Sequence, residues 1–321
     1  MNNSLIYNDA NNFTFISYNK KIWNLFIKKC KKNNLSETTI KNYTKCFKLF
    51  CSYLSENFID NPTEETIYEY RDYLISNGKK PTTVKLYLAS LKCLFKFTYH
   101  QRIYDNVAED VKSPKLDNLP KKDYFDESQM SYLLEKIKNS DDKRSKRDFA
   151  IISLMASCGL RDTEVVNANW GDIDSMGAKW KLHILGKGRV DKGEFVVLPH
   201  QMKMILDEYR YSLDFTPNSN DPIFISLDHK AQNKKQRLTV RSVSRIAKNR
   251  FIEAGFDSLK LTAHSLRRTT ITLALKNGEL LEAAQQCARH KNLATTMIYN
   301  NALITEENTV TQTVADVIFD Y

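Results

Sequence analysis

The sequence predicts a mainly α-helical protein of two domains, the second of which contains a small β-hairpin. Three observations lead to this fold class. From residue 18 to residue 112, apolar residues recur at intervals of three and four, which is the period of amphipathic helices. An aperiodic segment with two prolines follows, and beyond it two strand-like segments flank a turn rich in glycine and lysine. At 321 residues the chain is long enough for two domains with separate cores.

Four helices are predicted in the first domain, residues 1–112, after a short N-terminal extension. The first helix has an apolar stripe and a basic far side in the segment IWNLFIKKCKK. The second begins after Ser36, a typical N-cap, and the third opens at Thr63 and closes at Gly78. The fourth has Pro81 in its first turn, where the missing N–H of proline has no helical partner in any case.

The second domain is predicted to be mostly helical with one hairpin. Residues 113–122 are the predicted linker, residues 123–302 the second domain, and residues 303–321 a tail that forms a terminal helix with a thin apolar stripe. KWKLHIL and GEFVVLP form the two strands, joined by the turn GKGRVDKG. Further helical patterns cover residues 200–213, 239–255, 264–277 and 280–289.

The charge balance favours a polyanionic partner. The net charge is +10 and the isoelectric point is about 9.1. Residues 1–112 hold 17 basic and 11 acidic side chains, and the remainder holds 31 and 27, so both domains are basic. A basic balance alone is equally compatible with a protein that uses it only for solubility.

The cysteines and the hydropathy of the sequence argue against a zinc protein, a membrane protein and a secreted protein. The six cysteines form no CxxC and no Cys/His pair at zinc-ligand spacing, which predicts buried thiols and no metal site. No segment has the length of a transmembrane helix, and the N-terminus lacks the basic and apolar regions of a signal peptide. We therefore expect a cytoplasmic protein with no membrane partner.

Two basic positions in the second domain are candidates for chemistry. Arg161 follows a predicted helix end, and Glu164 is close enough in sequence to brace its guanidinium with two hydrogen bonds. Lys187 lies at the hairpin tip among three glycines, with Arg189 and Lys192 nearby. Such a segment is either an ordinary basic turn or a flexible finger whose lysine protonates a leaving oxygen. Its G-x-G pattern is not a dinucleotide loop, because no helix opens directly behind it.

The segment HSLRRTT contains a sharper constellation. His264 and Arg267 are three residues apart and share one face of a helix, so they can bind a phosphoryl oxygen and handle a proton together. Arg268 is expected to point elsewhere, towards solvent, a backbone phosphate or a neighbouring carboxylate.

His290 and Tyr299 form the last candidate pair. Nine residues are 2.5 helical turns, so on one unbroken helix the two side chains would face opposite ways. They converge only if the helix stops between them, and Lys291-Asn292 is the predicted break.

Taken in order, these motifs resemble the tyrosine recombinase, or integrase, family, in its simple two-domain Xer-like form. The pattern is R-x-x-E, a G-K-G hairpin, H-x-L-R-R, and a histidine nine residues before a tyrosine, and it covers most of residues 123–301. The resemblance implies an all-helical core-binding domain followed by a mostly helical catalytic domain. It also implies site-specific breakage and rejoining of DNA through a 3′-phosphotyrosyl bond.

The resemblance assigns roles in moving the proton and the phosphoryl group. Tyr299 would attack the phosphate, Lys187 would protonate the leaving 5′-oxygen, and His264 would accept the proton of Tyr299. Lys192 is an alternative general acid. A phenol has a pKa of about 10, so it needs a base or a cationic field in order to attack near neutral pH.

The resemblance also assigns the groups that bind the phosphate. Arg161 and Arg267 would clamp its non-bridging oxygens, His290 would donate a further hydrogen bond, and Glu164 would orient Arg161. No cofactor and no metal are expected, since the sequence has no P-loop and no compact acidic cluster. The sequence departs from the family in one place. Many relatives have Leu-Gly before the second histidine where this chain has Ala288-Arg289, and Arg289 would add a phosphate contact.

The implied partner is double-stranded DNA with inverted-repeat core sites. Phosphate contacts are expected from basic residues of both domains, namely Lys41, Lys45, Lys85, Lys92, Arg189 and Arg268. By analogy with the family, four protomers would act on two sites of a mobile element or chromosome, and the tail would dock on a neighbour. An accessory recombinase or a DNA-bending protein is a further possible partner. Two alternatives stay open: a type IB topoisomerase-like activity, and a DNA-binding regulator that has lost catalysis.

Overall fold

The computed structural model describes residues 17–115, 123–186, 191–227, 235–306, 308 and 310–319. The chain divides into two compact units, Met1–Asp117 and Asn118–Tyr321. Within the described residues both units are mainly helical, and the second also contains a three-stranded antiparallel sheet. The predicted fold class is confirmed.

Unit 1 is built from four helices whose starts follow from local chemistry. They are α1 (Ser17–Lys32), α2 (Glu37–Glu56), α3 (Glu64–Ser76) and α4 (Pro81–His100). The Ser36 hydroxyl accepts the Thr39 N–H at 3.1 Å and caps α2. Thr63 and Thr66 form a reciprocal capping box at the start of α3, and Pro81 is the first residue of α4. These starts are the ones that the sequence predicted.

An aromatic core holds the four helices of unit 1 together. Phe50 and Tyr70 are fully buried and meet edge to face at 4.9 Å between ring centroids, and Trp23 stacks on Phe47 at 4.7 Å. Edge-to-face and stacked pairs of this kind add about 0.5–1.5 kcal/mol each to the burial of their apolar surface. The core leaves the basic faces of α2 and α4 exposed to solvent.

Unit 2 carries the remaining elements. Its helices are α5 (Glu127–Lys138), α6 (Lys143–Cys158), α7 (Asp162–Asn167), α8 (His200–Tyr211), α9 (Val240–Glu253), α10 (Ala263–Lys276), α11 (Leu281–Ala288), α12 (Leu293–Glu306) and α13 (Val310–Phe319). The sheet has the order β1-β2-β3, with β1 at Ile173–Met176, β2 at Lys179–Ile184 and β3 at Glu194–Leu198. The predicted hairpin is β2 and β3. The sequence did not reveal β1, which is only four residues long and mostly exposed.

Helix α6 is the centre of unit 2, since it packs against α5, α8 and α10. It ends at Gly159, whose backbone is left-handed with φ of +59°, so the chain turns sharply before Arg161. Most buried apolar residues of unit 2 belong to one core around α6. A small separate cluster of Ile271, Ala284 and Ala288 lies between α10 and α11, and Tyr299 packs on it.

Helix α13 presents apolar side chains to solvent. Val310, Val314, Val317, Ile318 and Phe319 are all exposed, and α13 has no buried residue. Over the described parts of the chain, no helix combines the length and the apolar character needed to cross a membrane.

Candidate active site

Arg161 and Glu164 form the first pair of the candidate site. Arg161 is the N-cap of α7, and Glu164 reaches back from the first turn of that helix. One Glu164 oxygen accepts from the Arg161 guanidinium at 2.5 Å, and the other accepts from the Arg161 backbone N–H at 2.8 Å. The predicted brace therefore exists, but only one of its two hydrogen bonds goes to the guanidinium. The reason is that a residue three positions into a helix also lies within reach of the N-cap backbone N–H.

Glu164 stays ionised although it is almost completely buried. Its residual exposure is 1%, and burial alone would raise its pKa. The guanidinium of Arg289, the backbone N–H of Arg161 and the guanidinium of Arg161 outweigh that effect and hold the pKa of Glu164 below its ordinary value. The carboxylate is thus a fixed negative charge between two arginines.

Arg267 lies on α10 with only 1% of its surface exposed. Its two Nη atoms donate to the backbone carbonyls of Gly159 and Ala288, so it ties the end of α6 to the end of α11. Burial, together with the charges of Arg161 and Arg289, lowers the pKa of Arg267 to about 10, which still leaves it charged at neutral pH. A phosphate can contact this guanidinium only after the atoms that cover it have moved.

His264 and Arg268 flank Arg267 on α10. His264 is exposed at the first turn of the helix. Arg268 is 6% exposed, and its guanidinium carbon lies 5.3 Å from the ring centroid of Tyr124 and 5.7 Å from that of Tyr299. Of the three directions expected for Arg268, solvent is wrong, whereas a contact with a phosphate or with a neighbouring carboxylate stays a prediction. Both aromatic rings lie on the side that it faces, and a guanidinium is stabilised over aromatic rings.

His290 and Tyr299 converge as the helix break predicts. Helix α11 ends at Ala288, Arg289 is left-handed, and α12 begins at Leu293, so the two residues lie on different helices. Their rings are stacked with centroids 6.2 Å apart and planes 14° apart. Arg268 lies over the same tyrosine ring, so both a histidine and a guanidinium lie beside Tyr299.

His290 is neutral at ordinary pH. Burial first, and then the charges of Arg267, Arg161, His264 and Arg289, lower its pKa to about 4. Three arginines and one histidine from distant parts of the sequence therefore lie near His290. The His290 Nδ1 is 2.9 Å from the hydroxyl of Thr296, which is fully buried.

The hairpin turn is only partly described. Lys187 and Arg189 lie outside the described residues. Lys192, the alternative general acid, donates to the Asn167 carbonyl at 2.8 Å and forms a salt bridge with Asp172. These two contacts hold its ammonium beside the end of α7 and the start of β1.

The lysines of unit 1 differ in how they are presented. Lys41 and Lys45 are exposed one turn apart on α2, and Lys85 is exposed on α4. Lys92 is half-buried, and its Nζ donates to the Glu109 carbonyl at 2.9 Å. The exposed ammonium groups of Lys41, Lys45 and Lys85 are therefore better placed for a phosphate contact than that of Lys92.

Two residues have roles that sequence reasoning missed. Thr296 orients His290, and its place six residues later, in the first turn of the next helix, was the only available signal. Arg289 was expected to contact phosphate, but its guanidinium binds Glu164 at 2.6 Å and the Cys287 carbonyl at 2.7 Å. Glu164 thus offers Arg289 a buried carboxylate, and a contact between Arg289 and phosphate stays a prediction.

Comparison with known families agrees with this arrangement. Residues 123–306 match the phage integrase family, and residues 24–102 match the N-terminal SAM-like domain of phage integrases. The first match alone covers more than half of the chain. Within the described residues, no group of three or more His, Cys, Asp or Glu side chains is placed to hold a metal ion.

Individual relatives are recombinases. The tyrosine recombinase XerD of Listeria innocua is 30% identical in an alignment of 281 residues that covers 83% of this chain and 89% of that protein. The tyrosine recombinase XerC of Alcanivorax borkumensis is 29% identical over 74% of this chain and 75% of that protein.

Solved structures share the fold. The XerH site-specific recombinase, bound to its palindromic difH substrate, aligns with a TM-score of 0.70 at 22% identity, over 90% of this chain and 85% of that one. A λ integrase dimer bound to a core site aligns with a TM-score of 0.63 at 16% identity, over 87% and 76% of the two chains.

Proposed function

The chain belongs to the phage integrase family, and from this premise we propose that it recombines DNA by linking Tyr299 to a 3′-phosphate. The enzyme class is that of the tyrosine recombinases, which transfer DNA strands at specific sites. One observation supports the assignment of Tyr299 among sixteen tyrosines. Its ring stacks on His290, whose pKa is lowered by burial first and then by the charges of Arg267 and Arg161. This contact supports a site in which the proposed nucleophile meets the two arginines proposed to bind phosphate.

The proposed cleavage step conserves the energy of the broken bond. The Tyr299 hydroxyl oxygen attacks phosphorus, a Tyr–phosphate bond forms, and the bond from phosphorus to the 5′-oxygen breaks. His264 takes the phenolic proton, and Lys187 gives a proton to the departing 5′-oxygen. Attack by a 5′-hydroxyl of another strand reverses the step and completes the exchange. No external energy source is needed, because one phosphodiester replaces another.

Stabilisation of the five-coordinate phosphorane falls to the cationic groups. Arg161 and Arg267 would clamp the non-bridging oxygens through charge-assisted hydrogen bonds. Loss of one such donor costs on the order of 100- to 1000-fold in rate. Neutral His290 would be the third donor. If the Thr296 hydroxyl donates to Nδ1, the proton of the imidazole lies on Nε2, from which it can be donated to the phosphate.

Binding of duplex DNA is proposed to rest on basic surfaces of both units. Lys41, Lys45 and Lys85 are exposed on α2 and α4 of unit 1, which has a net charge of +6 over residues 1–112. Contacts between lysine and phosphate release counterions, so the affinity should fall steeply as salt rises. XerH has been solved on a palindromic DNA substrate and λ integrase on a core site, which supports inverted-repeat sites as the substrate.

A tetramer on two sites is the proposed working assembly. A λ integrase tetramer has been solved on a Holliday junction, and the exposed apolar face of α13 supports contact with a neighbouring protomer. Deletion of residues 308–321 should then leave cleavage of a single site intact and abolish strand exchange. Full exchange by the truncated chain would refute the role of the tail. An accessory recombinase or DNA-bending protein, a mobile-element substrate and action in the cytoplasm belong to the same proposal.

The topoisomerase-like and regulatory alternatives are not favoured, since the family match and the named relatives are recombinases.

A covalent-adduct assay tests the proposal. Wild-type protein, Tyr299→Phe and Tyr211→Phe are incubated with labelled DNA from the regions that flank the gene, and SDS-stable species are sought. Tyr211 is 87% exposed and serves as the matched control. Adduct from wild type and Tyr211→Phe alone supports the proposal, whereas equal adduct from Tyr299→Phe refutes it. Specific binding without adduct by wild type would support the regulatory alternative.

A further inference from the structure

The turn between α11 and α12 contains an unusual residue. Arg289 follows the last residue of α11 with φ of 51° and ψ of 44°, the left-handed conformation in which glycine is preferred. Among the described residues, it is the only non-glycine residue of unit 2 with positive φ. An arginine is strained there by its Cβ, so its side chain must make interactions that offset the strain.

The side chain makes three such interactions. Its Nη1 donates to the Cys287 carbonyl at 2.7 Å, which closes the turn on itself. Its Nη2 binds the second carboxylate oxygen of Glu164 at 2.6 Å and lies 3.2 Å from the Gly159 carbonyl. Only 9% of the Arg289 side chain is exposed, so these contacts are shielded from water and salt. The guanidinium is therefore engaged by three protein groups.

These contacts join the parts of the site that come from distant segments. The Gly159 carbonyl accepts from both Arg267 and Arg289, and the Ala288 carbonyl accepts from Arg267. Glu164 is shared between Arg289 and Arg161. One side chain thus connects the turn that precedes His290 to the carboxylate that orients Arg161.

We propose that Arg289 is a positioning residue for DNA cleavage, an inference that rests on the proposed function. It would hold one oxygen of Glu164, so that the other is left to orient the Arg161 guanidinium. It would also fix the turn between α11 and α12. That turn positions His290 and the start of α12 relative to the Arg161 guanidinium. The two phosphate-binding groups are then aligned with each other before DNA binds.

The substitution Arg289→Gly separates the side chain from the backbone. Glycine adopts the left-handed turn without strain, so the fold should survive, while the link to Glu164 is lost. Arg289→Lys keeps the charge but has no planar fork, so it can restore the link only in part. Arg102→Gly is the matched control. Arg102 is an exposed arginine of unit 1 with φ of 55°, so this substitution also replaces an arginine by glycine at a left-handed position.

The test measures single-turnover adduct formation and DNA affinity with the duplex that wild type cleaves in the adduct assay. At saturating DNA, Arg289→Gly should form adduct about 10- to 100-fold more slowly than wild type, since a misplacement of about 1 Å can cost 100-fold. Arg289→Lys should fall between the two, and DNA affinity should change less than twofold in both variants. Arg102→Gly should cleave at the wild-type rate.

A double-mutant cycle with Glu164→Gln shows whether Arg289 acts through Glu164. If it does, Arg289→Gly should slow cleavage much less when Glu164→Gln is already present. Cleavage by Arg289→Gly at the wild-type rate would overturn the inference, and so would additive effects in the cycle or a loss that appears only as weaker DNA binding. Absence of adduct from wild type itself would instead overturn the proposed function, so the two failures are distinct.

Discussion

Glu164→Gln is the perturbation whose effect the structure specifies most closely. Glutamine has the shape of glutamate but no charge, and it replaces one acceptor oxygen by an N–H₂ donor. In the wild type the two carboxylate oxygens accept from the Arg161 backbone N–H, from the Arg161 guanidinium and from Arg289. After the substitution at least one arginine N–H faces another donor, and the charges of both arginines lose their buried counter-ion.

The expected loss of stability is large. Hydrogen bonds to charged groups contribute about 1.5–3 kcal/mol each, and removal of one partner from a buried ion pair costs about 3–5 kcal/mol. Three contacts share one carboxylate that is 1% exposed, so we take about 3–5 kcal/mol as the loss in the free energy of unfolding. For a unit of about 200 residues each kcal/mol lowers Tm by about 2–4 °C, which gives a decrease of about 6–20 °C.

The assay is thermal unfolding followed by circular dichroism at pH 7 and at low pH. The pKa of Glu164 is lowered in the folded protein, so its contribution to the free energy of unfolding is complete above the unfolded pKa and is lost as the pH falls through the folded pKa. The difference between wild type and Glu164→Gln should therefore shrink in acid. Glu253→Gln is the control, since Glu253 pairs with Arg250 at a carboxylate that is 59% exposed and should change stability by less than about 1 kcal/mol. If Glu164→Gln had the same Tm as the Glu253→Gln control at pH 7, the reasoning would be refuted.

Three further predictions concern the chemistry of the site. His290 should titrate near pH 4 by NMR in the DNA-free protein, and because its folded pKa lies below its unfolded value, its contribution to stability should decline as the pH falls from about 6.5; titration near pH 6.5 would contradict its burial among cations. Thr296→Val should remove the hydrogen bond to His290 Nδ1, worth about 1 kcal/mol, and slow adduct formation about five- to tenfold with a change in the ¹⁵N shifts of the imidazole; unchanged rate and shifts would exclude a role for Thr296. Lys187→Ala should slow cleavage of ordinary DNA but not of DNA with a sulfur atom at the leaving 5′ position, since a thiolate departs without a proton. Lys192→Ala should show no such selective rescue. If the sulfur substrate rescued Lys192→Ala instead, Lys192 would be the general acid in place of Lys187.

Local signals in the sequence were sufficient where the structure depends on neighbouring residues. Ser36, Thr63 and Pro81 begin helices because each acts on backbone groups within three or four positions. The helix break between His290 and Tyr299 also followed from spacing, since nine residues on one helix cannot face the same way. The short strand β1 was missed because its four mostly exposed residues show no alternation that could be recognised.

Errors arose where a side chain is governed by a partner far away in the sequence. Solvent was one of three directions expected for Arg268, because helical geometry relates it to Arg267 but says nothing about the rings of Tyr124 and Tyr299. For Arg289, nothing in the sequence indicated that Glu164, 125 residues earlier, binds its guanidinium. Composition shows that a basic residue is present, but only the tertiary structure shows which carboxylate or ring neutralises it.

The most direct test of the central claim is to identify the amino acid that carries the DNA. The covalent adduct is digested with nuclease and trypsin, and the peptide that retains a nucleotide is sequenced by mass spectrometry. Trypsin cleaves after Lys291 and finds no later basic residue, so the expected peptide is 292–321, which contains Tyr299 and Tyr321. We expect fragment ions that place a 3′-linked nucleotide on Tyr299, together with a 5′-hydroxyl on the released strand. A nucleotide on Tyr321, on any other residue, or joined through a 5′-phosphate would contradict the account.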